Sequence, residues 1–147
     1  MDSTTTSTMS SSKAETQNSG FNFNKEECFT IRYDEKCHHL AAGYSTGFIG
    51  IYDFDKPKSS SESLKKYPIS SFPITCLRWK PSNRTTLMTV DAEGFITQIH
   101  SKSGKILQRM EEPNNPLMCV DYSSDGLLFA TGGMIKLFVY MMIIQKL

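Results

Sequence analysis

Residues 120–133 read Val-Asp-Tyr-Ser-Ser-Asp-Gly-Leu-Leu-Phe-Ala-Thr-Gly-Gly (VDYSSDGLLFATGG). Asp125-Gly126 stands between two apolar runs, LMCVDY (117–122) and LLFATGG (127–133). Gly supplies the positive φ of a tight turn, and Asp and Asn tolerate it better than other residues. Runs of about six residues rich in Val, Phe, Thr and Tyr have the length and composition of strands. The stretch therefore predicts two antiparallel strands joined by a short turn.

The same texture extends back to Phe21. CFTIRY (28–33), HLAAGY (39–44) and FIGIYDF (48–54) form a first set. ITCLRW (74–79), TTLMTV (85–90), FITQIH (95–100) and KILQRM (105–110) form a second, and IKLFVY (135–140) completes the third. Thr46-Gly47, Glu93-Gly94, Ser103-Gly104 and Pro113-Asn114-Asn115-Pro116 are among the joints. No stretch after residue 20 carries a capped 3.6-residue period, so the expectation is all-β, built from antiparallel hairpins. The polar segment 55–63 reads as a loop leading to a strand at 64–69, where Pro68 suits a sheet edge.

The three sets superpose. Ile31-Arg32-Tyr33 matches Leu77-Arg78-Trp79 46 residues on, and Val120-Asp121-Tyr122 another 43 on. Gly47-Phe48-Ile49 matches Gly94-Phe95-Ile96 at a spacing of 47. A four-stranded propeller blade is about 40–45 residues long.

On these residues the chain resembles the WD-repeat (WD40) β-propeller family. TIRYDEKCHHLAAGYSTGFIGIYDF places Tyr52-Asp53 where that family has Trp-Asp. LRWKPSNRTTLMTVDAEGFITQIH keeps the Trp79-Lys80-Pro81 corner and the Glu93-Gly94 turn, and VDYSSDGLLFATGG fits the middle of the pattern with Asp125-Gly126. Gly47, Gly94, Tyr52, Asp53, Trp79, Asp125 and Gly126 are thus its structural positions here. The family's Gly-His pair is missing, and Thr46 and Glu93 stand at the hairpin position of its Asp. The blades are therefore expected to hold by packing and strand pairing, without the family's buried polar network.

The expected architecture is a propeller fragment of about three four-stranded antiparallel blades, the last incomplete, behind a disordered tail. Residues 1–22 are the tail; 23–140 carry the blades, in units of about 27–70, 74–112 and 117–140; 141–147 form an atypical end. Eleven of the first twenty residues are Ser or Thr and none is aromatic, too little apolar surface to offset the entropy of ordering. Closed propellers need four to eight blades, so three units predict two open faces. The last unit lacks its Asp-Gly turn before Met134, and MMIIQKL (141–147) matches no fourth strand. A frameshift or misread splice junction explains both, which makes a truncated product without independent function the alternative reading. An in-frame transcript with different codons after Tyr140 would remove it.

Composition excludes several classes. The chain has 147 residues, 16 Lys+Arg and 15 Asp+Glu, a net charge of +1 that argues for neither nucleic acid nor an anionic membrane. No apolar run reaches the ~20 residues of a membrane helix, and the polar N-terminus has no secretory apolar segment. Four cysteines are too few for a disulfide scaffold, so a reduced, cytoplasmic protein is expected.

Chemistry-bearing residues are few. Cys28, Cys37, His38 and His39 lack the paired Cys-x₂₋₄-Cys spacing of zinc sites. Cys76 and Cys119 recur at equivalent places and read as packing. Gly-x-Ser-x-Gly and phosphate-loop motifs are absent, and Ser101–Lys105 reads as a polar turn. Asp121, Asp125, Glu111 and Glu112 read as solvated charge. Tyr33, Trp79 and Tyr122 recur at one position and read as core. No catalytic, cofactor or metal residue is assigned, and no enzyme activity is expected. The resemblance implies a non-catalytic scaffold that binds other proteins, with a second chain as a means of completing the propeller. Phe48, Phe95, Lys65 and Lys66 are the candidate partner contacts.

Overall fold

The structure, a computed structural model, describes residues 26–57 and 64–141. The tail at 1–22, residues 58–63 of the polar segment and residues 142–147 lie outside the described residues. Among the described residues eleven strands follow one another: β1 (Cys28–Tyr33), β2 (His39–Tyr44), β3 (Phe48–Asp53), β4 (Leu64–Pro68), β5 (Ile74–Lys80), β6 (Asn83–Asp91), β7 (Phe95–His100), β8 (Ile106–Glu111), β9 (Leu117–Tyr122), β10 (Leu128–Gly133) and β11 (Leu137–Met141). They form two four-stranded sheets, β1-β2-β3-β4 and β5-β6-β7-β8, and a three-stranded sheet, β9-β10-β11. Every pairing is antiparallel between consecutive strands. Among the described residues no helix is long and apolar enough to cross a membrane.

Each sheet is one blade, and the repeat legible in the sequence coincides with its first strand. The matched triplets at 31–33, 77–79 and 120–122 lie on β1, β5 and β9, which pack side by side from blade to blade. Side chains alternate between the faces of a strand, so each blade has two apolar faces. Ala41, Ile49 and Ile51 of the first blade pack on Ile74, Leu77, Leu87 and Ile99 of the second. Cys76, Met88, Val90 and Ile96 leave the second blade's other face to meet Leu117, Val120 and Phe129 of the third. The core therefore sits in the two seams between blades.

Hydrogen bonds cross both seams. The Trp79 indole donates to the Arg32 carbonyl at 3.1 Å, and the Tyr67 hydroxyl to the Lys102 carbonyl at 2.8 Å. Thr75 donates to the Leu117 carbonyl at 2.6 Å. Pro68 ends the outer strand of its blade, where its missing N–H removes no ladder bond on the open side.

A buried polar framework corrects the expectation that packing and pairing act alone. Asp91, 2% exposed, ends β6 and accepts N–H bonds from Glu93, Gly94 and Phe95, and the Ser70 hydroxyl at 2.7 Å. It braces the hairpin from two residues before Glu93. In the third blade Asn115 accepts the Ile135 and Lys136 N–H groups, while its amide donates to Glu112 at 2.6 Å. Glu112 also accepts from the Thr131 and Tyr140 hydroxyls. It is 3% exposed, so it is a buried acceptor rather than solvated charge. Burial together with this carboxylate pushes the Tyr140 phenol up to about 12.

Candidate functional site

The described surface is unusual at the first blade. Ile31 and Tyr33 on β1 pair across the sheet with Ala42 and Leu40, which pair in turn with Gly50 and Tyr52, then Lys66 and Leu64. These residues share the face turned away from the second blade. Their counterparts in the second blade, Leu77, Leu87 and Ile99, are fully buried against the first. Ile31 is instead 53% exposed and Tyr33 55% exposed, and Leu64 is also exposed. Tyr33 thus departs from the core placement of Trp79 and Tyr122, because among the described residues no blade covers it. Its ring rests on Phe54 with centroids 5.9 Å apart.

Polar groups at the outer part of this face are already engaged. The Tyr44 and Tyr52 hydroxyls share a hydrogen bond of 2.9 Å, and burial with that bond raises the Tyr44 phenol well above its ordinary value. The Lys66 ammonium pairs with Glu26 and lies 5.2 Å from the ring centres of both Tyr44 and Phe48. The hydrogen bond from Lys66, then that from Thr46, lowers the Glu26 carboxyl.

The four candidate contacts do not form one patch. Phe48 and Lys66 meet on the open face. Lys65 points the other way and donates to the Lys102 carbonyl of the second blade at 3.1 Å. Phe95 starts β7, stacked near Phe72 and with the Arg109 guanidinium 4.3 Å from its ring centre. Among the structural positions, Gly47 and Gly94 occupy the β2–β3 and β6–β7 turns at positive φ, and Asp125-Gly126 the β9–β10 turn. Tyr52-Asp53 ends β3, and Trp79 lies near the end of β5.

The third blade also presents an open face. Cys119 and Asp121 on β9 share it with Ala130 of β10 and Leu137 of β11, and Leu128 and Leu137 are exposed. Cys119 stands where Cys76 is buried in the second blade, but it is exposed. Sequence periodicity located both faces; their exposure follows from the blade count.

The histidines serve the first blade's β1–β2 turn. Asp34, 2% exposed, accepts the His38 and His39 N–H groups at 2.8 and 3.1 Å and contacts the His39 ring. Burial raises the Asp34 carboxyl, yet the His39 and His38 hydrogen bonds outweigh it and hold the group below its ordinary value. His38 pairs with Asp55 at 2.7 Å. Among the described residues no group of three His, Cys, Asp or Glu side chains is placed to hold a metal.

Comparison with known proteins agrees with this geometry. The model of the family described as "Nucleolar protein 10-like, N-terminal domain", a β-propeller family, matches residues 1–143. No curated protein sequence matches the chain. A chain in a structure titled "Crystal Structure of Mitotic Checkpoint Complex" superposes with a TM-score of 0.68 at 19% identity, over 79% of this chain and 34% of that one. That likeness bears on the fold alone, and this chain spans about a third of that neighbour's length.

Proposed function

This chain belongs to the nucleolar protein 10-like N-terminal domain family, and from that membership we propose that it is a non-catalytic protein–protein interaction scaffold. Propellers of the WD-repeat type generally serve as such scaffolds. The observation that carries the reading is the open face of the first blade. Ile31, Tyr33, Leu40 and Tyr52 stand where the later blades bury their core, so the face has the shape and chemistry of a blade-receiving surface. Contiguous exposed apolar surface of this kind marks an interaction site.

The occupant it fits is a further antiparallel blade, supplied by a second polypeptide. Leu and Ile side chains at equivalent seams are fully excluded from water, and each is worth about 1.5–3 kcal/mol when buried. Phe48 and Lys66 would contact that partner at its outer edge.

A photo-crosslinking residue placed at Ile31 or Leu64 tests this in the full chain. A covalent adduct to a second polypeptide is expected from both positions. No adduct from either, with the purified chain a folded monomer, would overturn the second-chain reading; catalytic turnover by the chain would overturn the scaffold reading.

We also propose a cytoplasmic location, a reading supported by four free cysteines, of which three are exposed. Imaging a tagged chain tests this: a cytoplasmic signal is expected, and a nucleolar or secreted one would correct it.

A further inference from the structure

Away from the open faces, the seam between the first two blades carries an uneven charge. A cavity of about 470 Å³ opens where β2 begins and β3, β4 and the β7–β8 turn converge. Lys56, Lys65, Arg84 and Lys102 line it, with Asp53 the one carboxylate. Nearer the inner strands a second cleft, of about 260 Å³, is lined by Arg32, Arg78, Lys80 and again Arg84. Arg84 lines both, so the two adjoin along the seam as a channel in two parts with Arg84 between them. Seven cations line it, in a chain with 16 Lys+Arg and a net charge of +1.

Three carboxylates line the channel against seven cations, of which Lys56 and Arg78 are themselves engaged. Among the described residues its carboxylates are Asp53, Asp34 and Glu35. Asp34 is buried and committed to His38 and His39, and Asp53 lies 3.9 Å from the His39 ring. Arg78 is paired with Asp121 across the next seam at 3.2 Å. Arg84, Lys102 and Lys80 have no ion pair among the described residues. Cations spread along a cleft with low-dielectric walls concentrate the field there and attract an anionic ligand.

We propose that this seam is a binding groove for an extended, acidic segment of a partner protein. The proposal rests on the scaffold reading and names the chemistry of the partner. A row of single cations matches a row of carboxylates; a phosphoryl group would call for several Arg forks around one point, whereas the larger cavity has one Arg and, of the three in the smaller cleft, Arg78 is already paired with Asp121. Single-stranded nucleic acid needs exposed rings on which bases stack. The larger cavity has only the His39 ring, which is held on Asp34. In the smaller one the Trp79 ring is packed against the core with its N–H engaged, and Tyr33, the one exposed ring among the lining residues, rests on Phe54.

Fluorescence anisotropy of labelled octaglutamate with the full chain tests the groove. Saturable binding that weakens with salt is expected. Joint substitution of Arg84→Glu and Lys102→Glu is expected to weaken it by about tenfold or more, whereas Arg109→Glu, away from the channel, should leave it within about twofold. Octaglutamate should also slow carbamylation of Lys102 in the unaltered chain, a reading that requires no variant. Tighter binding of an octauridylate or of a singly phosphorylated serine peptide would overturn the proposal, as would unchanged affinity in the double variant. Crosslinks through Ile31 or Leu64 do not involve the channel. Their persistence when octaglutamate fails to bind would overturn the groove alone.

Discussion

At the scale of single residues, the strongest constraints are two aspartates that read as unremarkable in the sequence. Asp91 satisfies three backbone N–H groups and one hydroxyl out of contact with water. Asp91→Ala leaves those donors unpaired, which should cost about 3 kcal/mol and lower the melting temperature by about 10 °C. Thermal unfolding followed by circular dichroism checks it, with Glu93→Ala, whose exposed side chain is not part of this network, as the neutral reference. Asp34 supplies a pH dependence. Its carboxyl titrates below its unfolded value because the His39 and His38 bonds outweigh its burial. The stability it contributes is therefore complete above the unfolded pKa near 4 and is lost as pH falls through the lower folded pKa. Denaturation midpoints should fall below about pH 4, and Asp34→Asn should flatten that part of the profile.

At the scale of elements, the turns are where sequence and structure agree best. Alternation and Gly spacing placed ten of the strand runs and the edge strand with Pro68, because period-two patterning and positive φ are local properties. Braces between turns were illegible. Asp91 acts from two residues before the position at which the family pattern places its Asp, and Glu112 acts through Thr131 and Tyr140, 19 and 28 residues away. No linear spacing announces such partners. The turn glycines are also unequal. A Cβ on Gly94, at φ +111°, would lie 2.3 Å from the Glu112 carbonyl oxygen, which accepts the Asn115 N–H and cannot withdraw cheaply. A Cβ on Gly126, at φ +69°, would meet nothing closer than 3.5 Å. Gly126→Ala should therefore cost about 1–2 kcal/mol, the price of φ alone. Gly94→Ala should cost clearly more, and urea denaturation of the two variants measures the difference.

At the scale of the whole molecule, each blade touches only its neighbours, as in other repeat proteins whose stability is a sum of unit and interface contributions. The sequence showed the period and hence the blades. It could not show which cations would share a seam, since Arg84, Lys102 and Lys65 come from three different strands or turns of two sheets. The open faces make a further prediction: Ile31→Asp with Leu64→Asp should increase solubility and reduce self-association without lowering the β signal, because neither side chain lies in a seam. Light scattering and circular dichroism check the two halves of that statement.

The chain has a single tryptophan, Trp79, and it sits in the seam between the first two blades with its indole N–H on the Arg32 carbonyl and His39 beside its ring. The molecule thus carries its own optical gauge of blade docking. If the first blade lifts from the second before the strands melt, indole emission will redden while the far-ultraviolet β signal stays unchanged. Simultaneous change of the two signals would mean that the blades part and unfold in one step.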